Sequence, residues 1–109
     1  MSTKKQKKIK TSKAKSFMEK LTGGHVTLGK LLESIRLGEE QTQREFSSLL
    51  DVSISHLNDI EKGRKAVSPE RAARFAKLLG YSESSFVELA VQDMLSGSGL
   101  SYKVQLKAS

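Results

Sequence analysis

The chain has 109 residues, of which 37% are hydrophobic, with no Cys and a formal net charge of +7 at pH 7. That length allows one compact domain with some tail rather than two domains. The lack of Cys excludes a disulfide framework, a thiolate metal site and a cysteine nucleophile. Residues 1–20 hold eight Lys and one Glu, while the remaining 89 residues hold eleven basic and eleven acidic side chains. The basicity therefore belongs to the N-terminal stretch, and a high isoelectric point alone says nothing about what the rest of the chain binds. No apolar run approaches the roughly 18 residues a membrane helix needs. The basic N-terminus is followed by neither an apolar stretch nor a small-residue cleavage site, so no secretory leader is expected. A reducing, cytoplasmic address fits this composition.

Residues 1–16 are Lys, Ser, Thr and Gln with almost no apolar side chains. Such a segment cannot bury enough surface to offset its ordering entropy, and a disordered arm is expected there. It is either a solvated tail or a salt-sensitive contact to phosphates. Phe17, Met18 and Leu21 suggest a helical turn that Gly23-Gly24 breaks. From Thr27 the spacing of Leu28, Leu31, Leu32 and Ile35 predicts a first helix stopped by Gly38. Thr42 reads as the cap of a second helix. Glu45 completes a capping box, and Phe46, Leu49 and Leu50 line one face. Ser53 caps a third helix carrying Leu57 and Ile60, ended by Gly63. Ser68-Pro69-Glu70 opens a fourth, with cap, first-turn proline and an acid toward the dipole. Ala72, Ala73, Phe75, Ala76 and Leu79 form its buried face, and Gly80 closes it. Ser82 starts a fifth helix reaching about Leu95, and Ser96-Gly97-Ser98-Gly99 reads as a flexible break.

Beyond that break the period changes. Leu100, Tyr102, Val104 and Leu106 alternate with Ser101, Lys103, Gln105 and Lys107, which is a strand signal. A single strand cannot satisfy its own backbone, and no second strand is evident in the sequence. Pairing across a dimer or with another protein is expected, unless the alternation is accidental and the tail frayed. The organisation expected is a basic arm over 1–16, a helical domain over 17–95, and a break with a terminal strand over 96–109.

The second and third helices are joined by very few residues, so their elbow needs small or left-handed-tolerant residues. Ser47 is small where the helices cross, and Asp51 tolerates the left-handed conformation better than most. Val52, Leu57 and Ile60 lock the third helix onto the second. Its exposed face is then Ser53, Ser55, His56, Asn58, Asp59 and Lys62, compact polar groups suited to base edges in a major groove.

The stretch QTQREFSSLLDVSISHLNDIEKGRKAVSPERAARFAKLLGY resembles the Cro and phage-repressor type of helix-turn-helix, the XRE family. The matching features are Gln43 opening the second helix, small Ser47, VSISHLNDIEKGR across the turn and third helix, and SPERAARFAKLLG as the fourth. The likeness spans about residues 27–89. It implies an all-α, five-helix lambda-repressor-like DNA-binding domain. By that resemblance Gln43, with Thr42 and Arg44 beside it, lies at the DNA, where Gln43 bonds a phosphate and braces a side chain of the recognition helix. Ser53, Ser55, His56 and Asn58 face the groove, and Lys62, Arg64 and Lys65 hold the phosphate backbone. Two positions depart from the family pattern. Asp51 stands where Gly is usual. Ile54 stands where a polar reading residue is common; it either touches a thymine methyl or, as its place in the 54-57-60 row favours, is buried or staples the helix. Glu61, in the family's E-x-G signature, would be repelled by DNA and is expected to pair inside the domain.

Other chemistry finds little support. His25 and His56 have no acid or second His at metal-ligand spacing, so neither metal nor cofactor is expected. Gly23-Gly24 lacks the context of a phosphate loop. No nucleophile triad or carboxylate pair stands out, so no enzyme is expected. The fifth helix has a broad apolar face of Phe86, Val87, Leu89, Ala90, Val91, Met94 and Leu95. It either closes the core or contributes Val87, Val91, Met94 and Leu95, with Tyr102, Val104 and Leu106, to a homodimer interface. Two half-sites on duplex DNA require two reading heads, which favours the dimer. The expected function is a homodimeric repressor on a palindromic operator. The alternatives are an antitoxin that also binds a toxin, and a protein-interaction adaptor that keeps the fold without binding DNA.

Overall fold

The computed structural model describes residues 26–107 and contains five helices: α1 (Leu28–Gly38), α2 (Gln43–Leu50), α3 (Ile54–Glu61), α4 (Pro69–Leu79) and α5 (Glu83–Gly97). The basic arm over 1–16, the turn at Phe17–Leu21 and His25 lie outside the described residues. Each helix starts where a short polar residue can cap it. The hydroxyls of Thr27, Thr42, Ser53, Ser68 and Ser82 accept from the backbone N–H three residues on, and Glu45 returns the bond to Thr42 N at 2.9 Å. The first turn of α1 has a second cap from far along the chain, since Leu28 N donates to Asp93 Oδ2 of α5 at 3.0 Å.

The helix ends share one device. After each helix a residue takes a left-handed φ: Glu40 (57°), Asp51 (61°), Gly63 (81°), Gly80 (78°) and Gly99 (77°). At each, its own N–H bonds the carbonyl three residues back, and the next N–H reaches five back. This is the Schellman arrangement, which satisfies carbonyls the helix leaves open. Gly38, expected to stop α1, lies inside it, and the turn is made at Glu40 instead. Likewise α5 continues through Ser96-Gly97 rather than stopping near Leu95, because its closing turn is set by Gly99.

The core is built from the expected apolar stripes, with Leu28, Leu31, Leu32 and Ile35 of α1 meeting Phe46 and Leu50 of α2, Leu57 and Ile60 of α3, and Phe75 and Phe86 of α4 and α5. Phe46, Phe75 and Phe86 are fully buried, each contributing about 1.5–3 kcal/mol relative to exposure. The most extensive helix contact is between α4 and α5, and α3 packs on both α1 and α2. Leu49 does not share the buried face expected of it and is 43% exposed. In its place Ser47 is buried, its hydroxyl donating to Arg44 O at 3.0 Å, so α2 meets its neighbours on the Phe46-Ser47-Leu50 side.

The fifth helix divides its apolar face. Phe86, Leu89 and Ala90 enter the core, Val87, Val91 and Leu95 stay half-buried, and Met94 is exposed. Among the described residues no strand forms, so the strand expected over Leu100–Lys107 is absent. The segment runs back along α5, whose side chains supply what a partner strand would. Gln92 donates from Nε2 to Tyr102 O (2.7 Å) and accepts at Oε1 from Val104 N (2.8 Å), while Glu88 Oε2 accepts from Leu106 N (3.0 Å). Alternate backbone units at 102, 104 and 106 are thus paired without a second strand. No described helix is long and apolar enough to cross a membrane.

Candidate nucleic-acid interface

The elbow between α2 and α3 takes only Asp51, Val52 and Ser53. Asp51 N bonds Ser48 O and Val52 N bonds Ser47 O (3.0 Å), while Ser53 caps α3 by accepting from His56 N. Val52 folds partly against the core, which sets the direction in which α3 leaves the turn. A second constraint on α3 comes from α1. A Cβ at Gly29 would overlap the carbonyl oxygen of Ile60, so the two backbones lie in contact there and only glycine fits.

A polar network then fixes the side chains at the α2–α3 junction. Glu61 is buried, and Arg36 of α1 grips its carboxylate through Nε (2.8 Å to Oε2) and Nη2 (3.0 Å to Oε1). The third nitrogen of Arg36, Nη1, donates to Gln41 O at 3.1 Å. The Arg36 guanidinium is held above its ordinary pKa, chiefly by its hydrogen bond to Glu61, against the opposing effect of burial. Gln43 Nε2 donates to Glu61 Oε1 (3.0 Å) and to Asn58 Oδ1 (3.2 Å). Gln43 therefore braces a side chain of α3, as the family resemblance implies. Both of its side-chain N–H groups are spent inside the protein, leaving Oε1, which cannot donate to a phosphate.

Along α3 the solvent-facing positions are Ser53, Ile54 and Ser55, with Asn58 half-buried one turn after Ile54 and Lys62 exposed at the end. Ile54 is 38% exposed, which corrects the burial favoured from its place in the apolar row. As the first residue of α3 it sits at the outer end of that row. His56 is half-buried, and its Nε2 lies 3.3 Å from Arg71 Nη1 of α4, so it links two helices. Thr42, Arg44, Lys62, Arg64 and Lys65 are all exposed. Arg64 pairs with Asp59 at 2.9 Å, while no ion pair engages Arg44, Lys62 or Lys65 among the described residues. The exposed side of α3 is thus a compact polar surface with one apolar residue at its start and cations following its end.

Arg36 is the member of this constellation that sequence patterning passes over. It looks like one more solvated cation in the last turn of α1, and its partner is 25 residues away. Glu61 pairs within the domain as expected. Among the described residues there is also no group of His, Cys, Asp or Glu arranged to hold a metal ion.

A sequence profile of the family described as Helix-turn-helix matches residues 32–86. No curated protein and no solved structure matches the chain.

Proposed function

The chain belongs to the XRE-type helix-turn-helix family and is a DNA-binding transcription regulator, and from that premise we propose that it is a repressor gripping a palindromic operator as a homodimer. The observation that carries this reading is the Asn58–Gln43 contact. A side chain on the exposed face of α3 is braced by the start of α2 and anchored through buried Glu61, a pre-set group of the kind base reading needs. In this reading Ser53, Ile54, Ser55 and Asn58 face the major groove, and Lys62, Arg64 and Lys65 meet the phosphates beyond it. The backbone N–H groups of Gln43 and Arg44 have no partner among the described residues. They take the phosphate contact that the Gln43 side chain cannot make. His56 acts through Arg71 rather than by reading a base.

For the dimer, the support is the uncovered part of α5. Val87, Val91 and Leu95 are half-buried, Met94 is 49% exposed, and Tyr102 and Leu106 of the returning segment are 67% and 40% exposed. Half-covered Val104 lies in the same segment. The antitoxin reading has one observation of its own. Among the described residues the backbone at 101, 103 and 105 makes no hydrogen bond, so the outer edge of the segment is open to a strand from a toxin. A cytoplasmic location follows from either reading.

Selection from random duplex DNA is the test. A repressor enriches a two-fold symmetric sequence, and changing Asn58 and Lys65 together to Ala abolishes specific binding. If that double variant binds the selected sequence as tightly as the parent, α3 is not the reading helix. An adaptor, by contrast, enriches nothing. Truncation after Gly97 weakens self-association in sedimentation, and an unchanged mass at micromolar concentration removes the terminal segment from the interface.

A further inference from the structure

The two ends of a carboxamide offer opposite chemistry, and at ordinary positions nothing decides which end faces out. At Asn58 something does. Glu61 is 3% exposed, and both of its carboxylate oxygens accept from Arg36, so they face the rest of the network as acceptors. Gln43 must therefore turn its NH2 toward it, and Nε2 lies 3.0 Å from Glu61 Oε1. The other hydrogen of that nitrogen points to Asn58 at 3.2 Å, which obliges Asn58 to meet it with Oδ1. The Nδ2 of Asn58 is left on the opposite side, with no partner among the described residues. A buried carboxylate clamped by Arg36 thus sets the polarity of one amide, and that amide sets the next.

Resting on the reading of α3 as the groove-facing helix, we infer that this relay makes Asn58 a specificity-determining donor that selects keto bases, guanine or thymine. An asparagine free to rotate contacts adenine at two points, accepting from N6 with Oδ1 and donating to N7 with Nδ2. Here Oδ1 is turned inward to Gln43, so the outward end supplies only N–H groups. These suit the O6 and N7 of guanine or the O4 of thymine. Ile54, one helical turn earlier and exposed, adds an apolar contact beside them, which favours a thymine methyl at or next to the same position. Gln43 and Glu61 are positioning residues in this scheme, since they act on the base only through Asn58.

The test compares the sequences enriched from random duplex DNA by the full chain, by Asn58→Asp and by Gln43→Leu. Asn58→Asp keeps the acceptor toward Gln43 but turns an acceptor outward. One position in each half-site should then switch from guanine or thymine to cytosine or adenine, by about tenfold or more in relative affinity. Gln43→Leu frees the Asn58 amide to rotate, so the same position should admit adenine while the rest of the selected sequence stays. Thermal melting followed by circular dichroism shows that each variant is folded, and either one alone can decide the matter. If both folded variants select the parent's bases at every position, the relay does not set specificity. If the parent enriches no sequence at all, the DNA-reading assignment of α3 falls, and this inference falls with it.

Discussion

Arg36 and Glu61 face each other as a two-point contact between α1 and α3, with N···O distances of 2.8 and 3.0 Å and side-chain exposures of 12% and 2%. Removing one partner leaves a charge stranded in a poorly solvated place, which typically costs about 3–5 kcal/mol. Urea denaturation of Arg36→Met should show a loss of that order. Replacing both, as Arg36→Met with Glu61→Leu, should recover most of it, because an apolar pair of similar volume needs no charge partner. A loss below about 1 kcal/mol in the single variant would mean the pair is solvated in solution.

At Gly29 the expected outcome is steric. A methyl group there meets the Ile60 carbonyl oxygen, so Gly29→Ala must push α3 away from α1. Overpacking of this kind costs roughly 1–3 kcal/mol. Both the thermal midpoint and the affinity for the selected duplex should fall. Retention of parental affinity in a destabilised variant would separate the packing of α3 from its role at DNA.

The left-handed turns at Glu40 and Asp51 predict the opposite sign. Each holds a side chain in a conformation that glycine adopts freely. Glu40→Gly should stabilise the domain by about 0.5–1 kcal/mol, and Asp51→Gly by less, since Asp tolerates this conformation better than Glu. Asp51→Val should destabilise by about 1–2 kcal/mol. Chemical denaturation curves of the three variants check the order, and a stabilised Asp51→Val would contradict it.

Gln92 holds the returning segment by both ends of one amide. In Gln92→Ala the backbone at Tyr102 and Val104 loses those partners, and trypsin should cut after exposed Lys103 markedly faster than in the parent. Equal cleavage rates would show that the segment is held by something other than this side chain.

Much of this fold was visible in the order of its residues, because caps and apolar periods are local signals. Thr42 with Glu45, and Ser68 before Pro69, announce their helices within four residues. What escaped depends on groups far apart in sequence. Nothing near Arg36 points to Glu61, nothing near Leu28 points to Asp93, and the need for glycine at position 29 exists only because Ile60 passes there. The terminal segment is an intermediate case. Its alternation does reflect backbone units turned alternately toward a partner, but that partner is the side chains of Gln92 and Glu88 on a helix. Side-chain amides and carboxylates offer the same acceptors and donors as a strand edge, and a period of two cannot distinguish them. Ile54 misled for a related reason, since a position in an apolar row does not say where the covering helix ends.

The contact between Gly29 and Ile60 also bears on which molecule yields when the complex forms. At that point α3, the helix proposed to enter the groove, rests backbone against backbone on α1, with no side-chain layer between the two on which to tilt. Accommodation at the interface then falls to the double helix, whose bending and twisting energies depend on sequence even where no side chain touches it. Selected operators should accordingly show enrichment of easily kinked pyrimidine–purine steps between the half-sites, and Gly29→Ala, by loosening that seat, should weaken the enrichment. A spacer of random composition in the parent's selected sequences would show that the duplex is bound without being reshaped.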